Sequence, residues 1–239
     1  MSQSQPTQGQ QTQDQQKEAA ARESLRFVRD GQIVGLGTGS TATIAVKMIG
    51  ERVKAGLKIK GIPTSARTEE LAKQLGIPLV TLDEYQQIDV TIDGADEIDA
   101  QLQLIKGGGG AMLREKIIAS ATKQMVVVGD ATKQVPILGK FPLPVEVVSF
   151  AQALISKKIS DLGAKVKLRR NADGSPYKTD EGHHILDCIF GQIPHPAALA
   201  NVLDGMPGIM GHGLFINLAS IALIATDSGV KELRRTGNY

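Results

Sequence analysis

A chain of 239 residues with 41% hydrophobic residues has material for one large or two small packed domains. A net charge of +2 with no basic run longer than a pair, 3% aromatic residues and no tryptophan argue against nucleic acid as a partner and against stacking on bases. The lone cysteine, Cys188, allows no intrachain disulfide and points to a reducing compartment, and no apolar run reaches the roughly 18 residues of a membrane span.

Residues 1–16 hold eight glutamines and a single charge, Asp14, so a disordered tail is expected, idle in turnover. The tail has neither the charged start nor the apolar stretch of a secretory signal, and a cytoplasmic location is expected. Residues 17–28 (KEAAARESLRFV) predict a helix, ended by Asp30-Gly31. Gln32–Leu36 reads as a short buried strand and Thr41–Val53 as a helix, with Gly37-Thr38-Gly39-Ser40-Thr41 between them. Glycines, hydroxyls and a helix N-terminus favour a phosphate through free amides and the helix dipole. The plainer reading is a strand-to-helix turn capped by Ser40 or Thr41. A dinucleotide fingerprint is not present, because Ser40 stands where its last glycine belongs and no acid ends the second strand. GGGGAMLREK lacks the Gly-Lys-Ser/Thr of an ATPase phosphate loop, so NAD and ATP are both disfavoured.

Further strands are predicted at Lys58–Pro63, Pro78–Leu82, Ile88–Ile92 and Met125–Val128, with helices at Thr68–Leu75 and Ala111–Thr122. The alternation implies an α/β fold with a doubly wound parallel sheet, and it brings GTGST, TSART, DGADE and GDATK to one edge. The densest chemistry lies between Asp89 and Lys116: Asp93, Asp96, Glu97 and Asp99, then Lys106, four glycines, and Arg114-Glu115-Lys116. A solvated turn followed by a flexible loop is the ordinary reading of such a stretch. Four glycines are costly in backbone entropy, however, and a close approach to a ligand would justify them. Carboxylates, one lysine and bare backbone suit proton transfer on a small polar substrate. In the helix that follows, Met112, Leu113, Ile117 and Ile118 are the expected buried set.

After Phe141 the pattern becomes strand Leu143–Val148, helix Ala151–Leu162, strand Ala164–Leu168, strand His184–Phe190, helix Pro196–Leu203 and strand Gly208–Phe215. This order is ferredoxin-like, a smaller α+β domain with residues 171–182 as its hairpin loop. Ile221–Ala225 is expected to rejoin the first sheet. The domain reading is 17–140 with 217–239 for the larger unit and 141–216 for the smaller. His183 and His184 would point to opposite faces of a strand and share no metal, Cys188 reads as core, and DGADEIDA does not fit a calcium loop.

GTGSTA (Gly37–Ala42), DGADEI (Asp93–Ile98), IKGGGGAMLREKII (Ile105–Ile118), GDATKQV (Gly129–Val135) and LGKFPLPVEV (Leu138–Val147) together resemble ribose-5-phosphate isomerase type A, in order and over nearly the whole chain after Lys17. The resemblance implies a Rossmann-like main domain, a ferredoxin-like small domain, no cofactor, no metal and a homodimer or homotetramer. It implies interconversion of ribose 5-phosphate and ribulose 5-phosphate in the non-oxidative pentose phosphate pathway. By the same resemblance Glu115 is the general base, Lys106 supports the enediolate, and Asp93 and Asp96 handle substrate hydroxyls and ring opening. Thr38, Gly39, Ser40 and Thr41 form a ligand-binding loop. Gly94, Ala95, Gly107, Gly108, Gly109 and Lys133 contact substrate, and Lys17 contacts its phosphate. Two other readings are a non-catalytic sugar-phosphate sensor, which would not need Glu115, Lys106 and both aspartates, and an enzyme of a related sugar phosphate such as an amino sugar phosphate.

Overall fold

A computed structural model describes residues 8–235. The chain runs α1 (Gln8–Ser24), β1 (Ile33–Leu36), α2 (Ser40–Lys54), β2 (Lys60–Pro63), α3 (Ala66–Gln74) and β3 (Ile88–Gly94). There follow β4 (Glu97–Ile98), β5 (Leu104–Ile105), α4 (Met112–Ser120), β6 (Thr122–Asp130), β7 (Leu143–Val147), α5 (Gln152–Asp161), β8 (Lys165–Leu168) and β9 (His184–Ile189). The last elements are α6 (Pro196–Asp204), β10 (Ile209–His212), β11 (Leu214–Phe215), β12 (Ala219–Thr226) and β13 (Gly229–Arg234).

A six-stranded sheet has the order β13-β12-β6-β3-β1-β2. It is parallel throughout except for β13, which turns back on β12. Its central strands are apolar runs because both faces are covered. On one face Val34, Leu36, Val90, Ile92, Val126 and Val128 pack with the helices α1, α2 and α3. Ala20, Ala21, Ala45 and Ala72 are fully buried on the helices, small enough to let them lie close to the strands, and Ile49 of α2 is fully buried with them. Met125, Val127, Ala222 and Ile224 pack on the other face with Phe215 and Ala119. A four-stranded antiparallel sheet, β10-β7-β9-β8, carries α5 and α6, whose Ile155, Ile159, Ala200 and Leu203 join Val145, Val147 and Leu186 in one core. In chain order these strands lie 4-1-3-2, the ferredoxin-like arrangement. The small sheet β11-β5-β4 links the two units.

Several expectations need correction. Helix α1 begins at Gln8, inside the segment read as a disordered tail, whose residues 1–7 lie outside the described residues. Glutamine is a fair helix former, and Gln13 and Gln16 find partners in Asp130, Ala131 and Asp227. Residues 236–239 of the larger unit also lie outside the described residues. Pro78–Leu82 is no strand: it touches β2 only through the bridge from Leu79 to Gly61, flanked by Gly61 N–H to Pro78 O at 2.7 Å and Val80 N–H to Gly61 O at 3.0 Å. Gly208–Phe215 is two strands on two sheets, broken at Gly213. A Cβ there would stand 2.3 Å from the Lys106 carbonyl oxygen, so the chain passes as bare backbone. The hairpin strand β13 was not anticipated. In α4, Ile117 is 45% exposed, whereas Glu115 is 4% exposed. Among the described residues no helix is long and apolar enough to cross a membrane.

Candidate active site

The loops after β1, β3 and β6 meet at the carboxyl edge of the large sheet, and the glycine loop after β5 closes over them. Into the resulting cleft face Gly39, Ser40 and Thr41 at the start of α2, Gly94, Ala95 and Asp96 after β3, and Lys106 with Gly107, Gly108 and Gly109. Thr38, Glu115, Lys133 and Val128 complete the lining, so the cleft gathers nearly all the residues singled out from sequence. Asp93 and Lys17 do not line it: Asp93 is fully buried, and the Lys17 ammonium lies 3.3 Å from Asp14 on the same helix. TSART stands behind the cleft: the Thr38 hydroxyl lies 2.7 Å from Thr64 Oγ1, 2.7 Å from Ser65 Oγ and 3.1 Å from Thr68 Oγ1. Thr38 is thus a half-buried strut of the loop, tied to the buried Thr64, Ser65 and Thr68, and the amides that follow are left for a ligand.

Gly39 caps α2 with φ +113° and makes no side-chain cap bond. A 15-residue helix therefore offers its first N–H groups and the positive end of its dipole to the cleft. The Lys133 ammonium, on the turn after β6, forms no ion pair among the described residues. Asp130 holds that turn by accepting the Thr132 N–H at 3.0 Å. An unpaired cation beside a helix N-terminus is a seat for a dianion.

At the centre, Lys106 Nζ stands 3.0 Å from Asp93 Oδ2 and 3.2 Å from Glu115 Oε1, with the three side chains 2%, 0% and 5% exposed. It also donates to the Gly94 carbonyl, and the Phe215 ring lies beneath it, 5.5 Å to the centroid. Asp93 Oδ1 accepts the N–H of Thr38 at 3.0 Å and of Gly94 at 2.8 Å. Glu115 Oε2 is buried and has no hydrogen-bond partner. Burial pushes the Glu115 carboxyl up to about 8; Lys106 resists the rise and the charge of Asp93 adds to it. Burial raises Asp93 as well, against Lys106 and the two amides. For Lys106 burial works against the charge, but Asp93 and Glu115 outweigh it and hold the ammonium above the usual lysine value. Asp93 has two amides as well as Lys106, whereas Glu115 has Lys106 alone. Burial raises both carboxyls, and they titrate as a coupled pair around one ammonium.

Close packing makes the arrangement unforgiving. A Cβ on Gly37 would fall 2.4 Å from Asp93 Oδ1 and 2.4 Å from the Ile92 carbonyl. Gly37→Ala must therefore push β1 from β3, at a cost of about 1–3 kcal/mol by overpacking. A lowered melting temperature together with a fall in kcat, as Asp93 is displaced, is the expected result. Unchanged melting and kinetics would mean that Asp93 has room to move.

Sequence reasoning missed Glu97 as a structural acid: it is 3% exposed and accepts the N–H of Gly139 at 2.7 Å and of Phe141 at 2.6 Å. His183 and His184 take separate partners, Glu146 at 3.0 Å and Gln152 at 2.7 Å. Cys188 is fully buried and its thiol is pushed up to about 12 by burial, which makes it core.

Residues 60–229 match the family model of ribose 5-phosphate isomerase A (phosphoriboisomerase A). The ribose-5-phosphate isomerase A of Parvibaculum lavamentivorans is 51% identical over 222 residues, 90% of this chain and 96% of that protein. That of a Synechococcus strain is 49% identical over 226 residues, 93% and 98% of the two chains. A D-ribose-5-phosphate isomerase solved in complex with phospho-erythronic acid superposes with a TM-score of 0.91 at 39% identity, covering 93% of this chain and 99% of its own. The ribose 5-phosphate isomerase of Plasmodium falciparum gives 0.90 at 35% identity, covering 94% and 100%.

Proposed function

The chain belongs to the ribose 5-phosphate isomerase A family, and from that premise we propose that Glu115, Lys106, Asp93 and Asp96 carry the interconversion of D-ribose 5-phosphate and D-ribulose 5-phosphate. The enzyme moves a proton between C2 and C1 of the open-chain sugar and shifts the carbonyl from C1 to C2 through a cis-enediol. The observation that carries the residue assignment is the Lys106 ammonium held between two buried carboxylates, one of which keeps an unpartnered oxygen in the lining of the cleft.

The ionised Glu115 takes the C2 proton and returns it to C1, a transfer one carboxylate can perform because the two carbons are adjacent. Negative charge grows on O1 in the aldose and O2 in the ketose direction. Lys106 and backbone amides stand ready in a water-poor site, where such donors act most strongly. Asp93, anchored by two amides, ferries the hydroxyl proton between O1 and O2. Asp96, whose Oδ2 accepts the Gly108 N–H at 2.7 Å, assists ring opening and holds the substrate hydroxyls. The phosphate sits at the N-terminus of α2 with Lys133, away from the reacting carbons, and supplies binding energy for orientation. Gly94, Ala95, Gly107, Gly108 and Gly109 offer backbone to the sugar. Lys17 would have to leave Asp14 to reach the phosphate.

The direct test is ketose formation from ribose 5-phosphate in EDTA without added cofactor. Turnover supports the assignment; a folded protein that binds the sugar phosphate without turnover would favour a sensor. Phospho-erythronic acid, the ligand of a similar isomerase, is expected to compete with substrate here.

The base must be ionised, so kcat/KM should rise with pH along a limb near 8, the value to which burial pushes Glu115. An exposed glutamate would put that limb near 4.3. Because the charge of Asp93 raises Glu115, Asp93→Asn should move the limb to lower pH while reducing the rate. A limb that stays in place would remove Asp93 from the coupling. We further propose a homodimer or homotetramer in the cytoplasm, testable by sedimentation and by localising a tagged chain. The working division is 17–140 with 217–239 against 141–216, testable by limited proteolysis.

A further inference from the structure

The glycine loop has no side chains of its own to hold it in place. Gly107 and Gly110 sit at φ +102° and +82°, conformations available to many other loop paths. Within the loop only the Gly110 N–H to the Gly107 carbonyl, 3.0 Å, closes a turn. What fixes its path comes from the four-stranded unit. Arg169, just past the end of β8, donates from Nη1 to the carbonyls of Gly107 at 2.9 Å and Gly108 at 3.1 Å. Its other edge grips Asp187 on β9 through Nε at 3.0 Å and through Nη2. The pair is largely buried, 15% and 25% exposed. Tyr177 stands against the same loop: a Cβ on Gly110 would meet its hydroxyl at 2.3 Å.

The direction of these bonds matters more than their number. In a trans peptide the C=O and the following N–H point opposite ways. Turning the Gly107 carbonyl to Arg169 turns the Gly108 N–H away from it, and that N–H meets Asp96 Oδ2 at 2.7 Å. Turning the Gly108 carbonyl to Arg169 turns the Gly109 N–H away in the same manner. Gly109 lines the cleft, and its N–H has no acceptor among the described residues. One guanidinium thus sets two peptide planes, one that orients Asp96 and one that presents a free donor.

We infer that Arg169, anchored by Asp187, is a positioning residue of the isomerisation: it turns the Gly107–Gly108 and Gly108–Gly109 peptides so that Asp96 and a substrate oxygen each receive an N–H. The inference rests on the proposed active site and adds to it a role for the smaller unit, which contributes no side chain to the cleft lining.

Lysine keeps the charge but lacks the planar fork that spans two carbonyls and a carboxylate. Arg169→Lys and Arg169→Ala are expected to lose kcat by about 10²-fold, the cost of a displacement of about 1 Å at a reacting group. KM for ribose 5-phosphate should change far less, because the phosphate is held at α2. The decisive readout is rescue. Guanidinium at a sub-denaturing concentration should restore part of kcat in Arg169→Ala, with no effect on Glu115→Gln. Arg169→Lys with wild-type kcat would overturn the inference. So would a loss in Arg169→Ala that follows melting temperature and resists guanidinium, since a purely structural Arg169 would behave that way. If Arg169→Ala fails to fold, Asp187→Asn takes its place, and unchanged kcat there counts against the anchor. Wild-type turnover, measured in parallel, separates failure of this inference from failure of the site assignment.

Discussion

Glu115→Gln is expected to lower kcat by about 10² to 10⁴ while leaving the fold intact or more stable. The amide keeps the shape of the side chain but cannot accept a proton from carbon. Lys106 still has Asp93 at 3.0 Å, so its ammonium is not stranded. The stability effect has its own sign. The folded pKa of Glu115 is raised from 4.5 to about 8, so between those values the native state holds a proton that the unfolded state has released. Stability of the wild type therefore falls as pH rises through that window. Glutamine carries no such proton, and the melting temperature of the variant should gain on the wild type from the acid to the alkaline end. Activity and stability moving in opposite directions would mark a group kept in place for chemistry. Measuring ribulose 5-phosphate formation and melting curves side by side settles it. Full turnover in the variant would mean that another group is the base.

The loops of the site were legible in the sequence because each lies at the end of a short apolar strand, and a parallel sheet brings such ends together. GTGST, DGADE and KGGGG could be read in this way without knowing any contact. The burial of Glu115 could not. On helical spacing Ile117 seemed the inward residue and a charged neighbour the outward one, whereas the cleft beside α4 reverses the two. That reversal is a tertiary fact, created by Lys106 arriving from another loop. Arg169 was invisible for a similar reason, since it lies 62 and 61 residues from the carbonyls it holds. An arginine at a strand end ordinarily reads as a solvated charge. Pro78–Leu82 looked like a strand on composition, but Pro78 has no N–H to give and only Leu79 pairs. The glutamines before Lys17 looked idle because nothing in their own composition reveals Asp130 and Asp227 as partners.

Lys106→Met should damage rate and fold together, and the pH dependence tells the two effects apart. Removing the ammonium takes away the donor proposed for the developing oxyanion, worth about 10² to 10³ in kcat for a group of this kind. It also leaves Asp93 and Glu115 facing each other in a buried pocket with no cation between them. Breaking a buried ion pair in this way costs about 3–5 kcal/mol. The burden falls on the ionised forms only. Both carboxyls are already raised by burial with Lys106 holding them down, and without it they rise further. A raised carboxyl is harmless while protonated and costly once ionised, so the variant should approach wild-type stability at low pH and lose ground steadily as pH rises. Melting curves from about pH 5 to pH 9 would trace that divergence through the titration range of the coupled pair. Parallel curves would mean that water reaches the carboxylates and has taken over the work of the ammonium. A rate unchanged at the pH where the variant is fully folded would assign the oxyanion to backbone amides alone. The expected combination, a rate loss at every pH and a stability loss confined to the alkaline side, follows only if Lys106 both steadies two buried acids and faces the reacting oxygens.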